Sequence, residues 1–395
     1  MDSLPREMAQ QTLFRTHAVR HAYGKSGRPF LRFLQTMPCM VAQARYAAGG
    51  WPVWSGLCVG MPVQTIPGAA MLTRGPTTIV VTGASSGIGR ATAEAFAAAH
   101  VRLVLAARRV EALEKTAQVC RDKGAQTLIV PTDVTDADAV TRLAAQASEF
   151  GDGAIDVWVN NAGVGAVGRV EEIPPSAHEQ VIRTNLLGYI HGAHAVIPYF
   201  KRLGGGTLVN VVSLGAWAPS PFATSYTASK YGLRGFSEAL RLELVQWPSI
   251  QICDVFPAVT DTPGFRHGAN YTGRMLKPPK PLCDARDVAR AIVAAVHNKR
   301  RRAVSVGLLA TLSRIGNAMA PSALRVASSR AVRRYFDRAP EVPDTDGNLF
   351  EPSKGSMSID GGWRGAERGR AIQHAMLAGA ALAAGVLLWR SAHKR

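Results

Sequence analysis

Cysteine is scarce in this 395-residue chain. Its five cysteines, Cys39, Cys58, Cys120, Cys253 and Cys283, are scattered, and no two form a Cys-x-x-Cys pair. An odd, dispersed set argues against a disulfide framework and against a zinc site, and it suits a reducing, cytoplasmic compartment; no metal is expected. Acidic residues are also few, 28 against 46 lysines and arginines, for a net charge of +18. Such a surplus raises the question of a nucleic-acid partner, so its location matters. Residues 1–75 hold 8 basic and 2 acidic side chains and residues 297–395 hold 17 and 7, whereas residues 76–296 are nearly balanced at 21 and 19. The excess therefore lies in the flanks, beside apolar stretches and without interleaved aromatic and basic residues. That pattern argues against nucleic acid and for attraction to a membrane surface. Long hydrophobic runs are missing until the end, where Ala375–Trp389 carries no charge over 15 residues. As a helix it would measure about 22 Å, short of the roughly 30 Å hydrocarbon core. Trp389 suits an interface, and Arg390, Lys394 and Arg395 suit a cytoplasmic end. The expectation is a membrane anchor or interfacial attachment through this tail, with packing on the protein or on a second subunit as the alternative.

The first 75 residues show no sustained period of 3.6 or 2, and three prolines interrupt "AAGGWPVWSGLCVGMPVQTIPGAA". They are expected to form a disordered extension, and Met71, just ahead of the first regular segment, is a candidate start. From Thr77 the pattern changes. "TTIVVTG", "VRLVLAAR", "QTLIVPTDV", "IDVWVNNAG", "GTLVNVVS", "IQICDVFP" and "RAVSVG" are short β-branched runs separated by stretches of helical spacing, including a long helix over about 176–203. This rhythm predicts right-handed βαβ units in an α/β fold, a doubly wound parallel sheet of the Rossmann type, over residues 76–307. Beyond it, residues 308–340 read as a basic amphipathic helical segment broken at Pro321, residues 341–370 as a polar, turn-rich linker, and residues 371–395 as the apolar tail.

"TGASSGIGR" stands where the first strand gives way to the first helix. Gly83, Gly87 and Gly89 permit a tight turn and close approach of backbone to a pyrophosphate, and the helix N-terminus offers N–H groups and a positive dipole end. Ser85 and Ser86 add hydroxyls, and Ile88 completes the turn. The spacing, G-x-x-x-G-x-G, departs from the commoner G-x-G-x-x-G, so placement at the head of the βαβ series carries the inference. At the end of the second strand a carboxylate would bind ribose hydroxyls, but Ala107 is followed by Arg108 and Arg109. Cations without a competing carboxylate favour a 2′-phosphate, hence NADP(H) over NAD(H). Two solvated arginines at a helix start are the bland alternative.

Tyr226 and Lys230, in "SYTASK", are four apart and share a helix face. A free tyrosine, with a pKa of about 10, is a poor acid at neutral pH, and a nearby ammonium stabilises its phenolate. With the glycine turn, Asn160-Asn161-Ala162-Gly163, Asn185 and Ser213 in that order, the set resembles the short-chain dehydrogenase/reductase superfamily in its single-domain form, over about residues 76–307. The resemblance implies that Tyr226 passes a proton to or from the substrate oxygen, that Lys230 also bonds the nicotinamide ribose, and that Ser213 holds the carbonyl. It implies that Asn185 kinks a helix and joins the lysine to a water relay, that Asn160 to Gly163 steady the sheet beside the adenosine ribose, with Asn160, Ala162 and Gly163 as cofactor contacts, and that Asp133 and Val134 contact adenine. Pro257 and Thr262 match the segment that meets the carboxamide, whereas Ala258 and Thr260 depart from the family's pattern there.

Substrate choice is expected to rest on Trp217, Phe222, Phe265, His267 and Tyr271, in loops whose apolar character suggests a lipophilic ketone or alcohol. The resulting expectation is an NADP(H)-dependent carbonyl reductase or alcohol dehydrogenase, forming a homo-oligomer as the family does. A non-catalytic, membrane-attached nucleotide sensor and an epimerase or dehydratase using the same tyrosine stay open as alternatives.

Overall fold

The computed structural model describes residues 77–298, 302–355 and 357–364. The expected extension over 1–75 lies outside the described residues, as does the apolar tail over 371–395. Among the described residues no helix is long and apolar enough to cross a membrane.

Seven parallel strands form the central sheet. They are β1 (Thr77–Thr82), β2 (Val101–Ala107), β3 (Gln126–Pro131), β4 (Val157–Asn160), β6 (Gly206–Val211), β7 (Ile250–Pro257) and β9 (Ala303–Val306), in the order β3-β2-β1-β4-β6-β7-β9. A small parallel pair, β5 (Ala166–Val167) and β8 (Ala269–Asn270), stands apart from it. The intervening helices are α1 (Gly87–Phe96), α2 (Val110–Asp122), α3 (Ala137–Phe150), α4 (Pro175–Ile182), α5 (Gly188–Leu203), α6 (Thr224–Glu243), the short α7 (Gly264–His267) and α8 (Ala285–His297). The predicted doubly wound sheet is the one observed.

Alternation along each strand loads both faces of the sheet. Ile79 and Val81 of β1 join Leu103 and Leu105 in one apolar cluster with α1, α2 and α8. Val80, Val104 and the fully buried Trp158 join the opposite cluster, with Leu143 of α3 and Phe200 of α5. Strands buried on both faces have no polar side to show, which is why they read as continuous apolar runs. Local signals start and stop the helices. Asp136 accepts from the amides of Asp138 and Ala139 at the head of α3, Asp284 does so from Arg286 at α8, and Gly204 ends α5 in the left-handed region at φ +77°.

Two findings differ from expectation. The single helix predicted over 176–203 contains a π turn, Arg183–Leu187, between α4 and α5. The wider turn carries Asn185 and brings its side chain to the neighbouring loop. The other concerns the C-terminal side. Helices α9 (Leu308–Met319) and α10 (Pro321–Phe336) match the predicted pair broken at Pro321, but the stretch expected as a linker does not stand off the domain. Thr345 exchanges backbone hydrogen bonds with Asn270, Leu349 is fully buried, and Asp360 forms a bidentate pair with Arg286 at 2.8 Å.

Candidate active site

The order of the strands reverses between β1 and β4, and ligands of such sheets bind beyond the carboxyl ends of the strands at that point. A cavity of about 560 Å³ lies there, bounded by the turns after β1, β2, β4, β6 and β7.

At one end stands the glycine turn. Gly83 has φ +67°, and a Cβ on Gly89 would fall 2.1 Å from the Gly83 carbonyl oxygen, so neither position accepts another residue without moving the turn. Ser86 heads α1 without a side-chain capping bond, and Ser85, Ser86, Gly87 and Ile88 line the groove at this helix N-terminus. Asn161, named in the sequence motif but not among the expected cofactor contacts, fixes the turn. Its Nδ2 donates to the carbonyls of Thr82 at 2.9 Å and Gly83 at 3.3 Å, and its amide donates to Thr82 Oγ1 at 2.9 Å. The doubled asparagine of "NNAG" was the available signal. Gly83, Ser85, Ser86, Gly87, Ile88, Gly89, Arg108, Arg109, Asp133, Val134, Ala162, Gly163, Pro257 and Thr262 all line this groove. Asn160 does not. Its Oδ1 accepts from Trp158 Nε1 at 2.7 Å, and its Nδ2 donates to Tyr189 O and Asn210 Oδ1, so it holds the sheet together behind the site. The donor set, two guanidinium groups and a helix N-terminus lining one groove, fits a dinucleotide carrying several phosphates.

The other end is built from β6 and α6. Ser213 follows β6; its Oγ accepts from the Gly215 amide at 3.0 Å, and it lines the cavity together with Tyr226. One turn along α6, Lys230 is 3% exposed, donates to Val211 O at 3.1 Å and lies 5.8 Å from the centre of the Tyr226 ring. Burial raises the Tyr226 phenol above its ordinary value, and the Ser213 hydroxyl opposes that rise. Burial also pushes the Lys230 ammonium down to about 7. The expected depression of the phenol by the lysine is therefore absent in the protein alone, because one and the same burial disfavours both charged forms. Asn185, fully buried, accepts from Val164 N at 2.8 Å and donates to Val164 O at 2.9 Å and to Ser229 Oγ at 3.3 Å. Ser229 Oγ in turn donates to the Tyr226 carbonyl at 2.7 Å, tying the π turn to the Tyr226–Lys230 stretch of α6. Asn185 thus steadies α6 next to Lys230, with its side-chain bonds going to Val164 and Ser229.

Of the five loop residues expected to meet substrate, Phe265 and His267 line the cavity, beside Leu214, Ala218 and Leu276. The other three are used in packing. Trp217 is sandwiched by Phe256 at 5.4 Å and the Arg234 guanidinium at 4.2 Å, and Phe222 meets Phe336 edge-on at 5.0 Å. Tyr271 is buried with Ile173 and donates to Asp346 at 2.5 Å. Among the described residues no cluster of His, Cys, Asp and Glu could hold a metal ion.

Comparison with known proteins agrees with this geometry. The family model described as short chain dehydrogenase matches residues 77–269. The chain is 32% identical over 232 residues to an uncharacterized oxidoreductase, YxnA, of Bacillus subtilis, covering 56% of this chain and 63% of that protein. It is 31% identical over 272 residues to the dehydrogenase/reductase SDR family member 7B of Bos taurus, covering 64% of this chain and 81% of that protein. Among solved structures, an alcohol dehydrogenase from Thermococcus sibiricus complexed with 5-hydroxy-NADP matches with a TM-score of 0.50 at 29% identity, over 58% of this chain and 94% of that one.

Proposed function

We propose that this chain, which belongs to the short-chain dehydrogenase family, is an NADP(H)-dependent oxidoreductase that interconverts a lipophilic ketone and its alcohol. The observation that carries the reading is the convergence of Ser213, Tyr226 and Lys230 at one end of a groove whose other end holds Arg108, Arg109 and the α1 N-terminus. When bound, the nicotinamide supplies or accepts the hydride. The protein does the rest. Ser213 Oγ and the Tyr226 hydroxyl form a pair of donors for one substrate oxygen, and Tyr226 gives that oxygen its proton in reduction or takes it in oxidation. Lys230, buried beneath the tyrosine, supplies positive charge when protonated and so favours the phenolate left after proton transfer. The glycine turn holds the phosphates at the head of α1, and Arg108 and Arg109 select the 2′-phosphate. Support for the phosphate preference comes from the absence of a carboxylate after β2 and from the NADP analogue in the Thermococcus relative. Support for a lipophilic substrate comes from Leu214, Ala218, Phe265 and Leu276 around the catalytic end.

The test is consumption of NADPH, followed at its absorbance band, over a panel of steroid, retinoid, acyl and aromatic carbonyls. Turnover that requires a carbonyl and runs faster with NADPH than with NADH supports the reading. Binding of NADPH without turnover of any carbonyl or alcohol would favour a nucleotide sensor instead.

A further inference from the structure

The groups that the proposed function reserves for the cofactor already have partners within the chain. Arg108 Nη2 donates to Asn348 O at 2.7 Å, and its Nη1 donates to Phe350 O at 3.0 Å and Leu349 O at 3.3 Å. Arg109 Nη1 donates to Ser353 O at 2.8 Å and Gly355 O at 3.3 Å. At the head of α1, the Gly87 amide donates to Ser358 O at 3.0 Å, and Arg90 Nη1 donates to Met357 O at 3.3 Å. One stretch of backbone thus runs along the groove from the expected 2′-phosphate end to the expected pyrophosphate.

Both ends of this stretch are firmly seated. On the near side, Leu349 is fully buried with Ile173 and Tyr271, Asn348 N donates to His267 O at 2.8 Å, and Asp346 takes the Tyr271 hydroxyl. On the far side, Ile359 packs on Ala91 and Ala285, Asp360 pairs with Arg286, and Arg364 pairs with Asp261 and Asp284. The middle is different. Phe350 is 45% exposed, the residues on either side of Ser353 are exposed, and no large apolar side chain there is buried. A segment with few buried contacts opens at low free energy. Its hold on the arginines is also of the weaker kind, since neutral carbonyls accept from guanidinium where a phosphate would bring charge of its own.

Resting on the NADP(H) reading above, we propose that residues 350–355, hinged on the seated Leu349, form an autoinhibitory strap that competes with the cofactor for Nη1 of Arg108 and for Arg109, so that the nucleotide binds only when the strap lifts. The strap's grip uses main-chain oxygens, so the two occupants exclude each other at the same guanidinium atoms whatever the strap's side chains are. Apparent affinity for NADP(H) is then the intrinsic affinity reduced by the fraction of molecules with the strap raised.

Hydrogen exchange on the full chain, with and without NADPH, reads this directly. With nucleotide bound, amides of residues 83–89 exchange more slowly and amides of residues 350–355 exchange faster. A second measurement uses Gly347→Ala. Gly347 has φ +55°, and a Cβ there would fall 2.3 Å from the His267 carbonyl oxygen, so alanine unseats the strap's anchor while leaving Arg108, Arg109 and the glycine turn intact. The variant is expected to bind NADPH about three- to tenfold more tightly than the wild type, by nicotinamide fluorescence. Slower or unchanged exchange of 350–355 on NADPH binding overturns the strap alone, because it describes a lid or a bystander. An affinity unaltered by Gly347→Ala, when its 350–355 amides already exchange faster, overturns it as well. Failure of both proteins to bind NADPH refutes the cofactor reading, and the competition falls with it.

Discussion

The two ends of the groove are made in different ways. The proposed catalytic end is assembled within the sheet and α6, with Lys230 anchored on Val211 O and Ser213 held by the Gly215 amide. The adenosine end is assembled from a turn and two arginines, and distant backbone from 348–358 occupies the same donors. One end is preorganised; the other is self-occupied. The difference separates two jobs. Proton transfer demands groups fixed to fractions of an ångström, which packed strands and helices supply. Nucleotide binding tolerates a displaceable stand-in, because guanidinium groups release a neutral acceptor readily in exchange for a charged one.

The sharpest way to break this contrast is at the catalytic end. Tyr226→Phe removes the hydroxyl proposed to transfer the proton and leaves the ring in place. Turnover is expected to fall by about 10²–10⁴, the usual worth of a positioned general acid. NADPH affinity measured by fluorescence titration stays close to that of the wild type, because the arginines and the glycine turn are untouched. A variant that retains more than a tenth of wild-type turnover would remove Tyr226 from the chemistry.

The same division governs what the sequence alone disclosed. Alternating β-branched runs and helical spacing foretold the sheet because local period and burial agree along Ile79–Val81 and Leu103–Leu105. Tyr226 and Lys230 were readable as neighbours because helix geometry alone places i and i+4 on one face. Asn160 and Asn161 were not distinguishable, since which of two adjacent residues faces the groove depends on where β4 leaves the sheet. Trp217, Phe222 and Tyr271 could not be divided between substrate and packing for a similar reason: an aromatic in a loop points wherever tertiary packing offers a surface, here Phe256, Phe336 and Ile173. The strap was invisible. It has no period, its composition is that of a linker, and its contacts to Arg108 and Arg109 run through carbonyl oxygens that every residue possesses.

Arg108→Ala sharpens the contrast at the adenosine end, because one substitution removes two opposing interactions. The variant loses one bond to the strap at Phe350 O, two to its anchor at Asn348 O and Leu349 O and, on the proposed reading, a charged contact to the 2′-phosphate. NADH, which lacks that phosphate, feels only release of the strap and binds as well as before or better. NADPH loses a charge-assisted interaction of about 1.5–3 kcal/mol. The ratio of the two dissociation constants, measured side by side, is therefore expected to shift toward NADH by about tenfold or more. An unchanged ratio would mean that Arg108 has no part in phosphate selection.

The smallest effect is a dependence of stability on pH that belongs to the catalytic end alone. Burial holds Lys230 near 7 in the folded protein, against 10.5 for the free group. Between these values the unfolded chain binds a proton that the native lysine does not, so unfolding takes up protons and native stability rises with pH. Below about 7 both states are protonated and this contribution is constant, with the native state carrying the unfavourable buried charge. Thermal melting of the nucleotide-free protein from pH 6.5 to 9.5 is expected to show a positive slope that Lys230→Met reduces. Met fills the same space without a charge, and its buried neighbours Tyr189 and Val211 need no ammonium to stay packed. NADPH should flatten the wild-type slope as well, since a bound nucleotide phosphate and ribose favour the protonated lysine and bring its folded value back toward that of the free group. Equal slopes in wild type and Lys230→Met would show that the lysine is already charged, and that the catalytic end is less desiccated than its packing indicates.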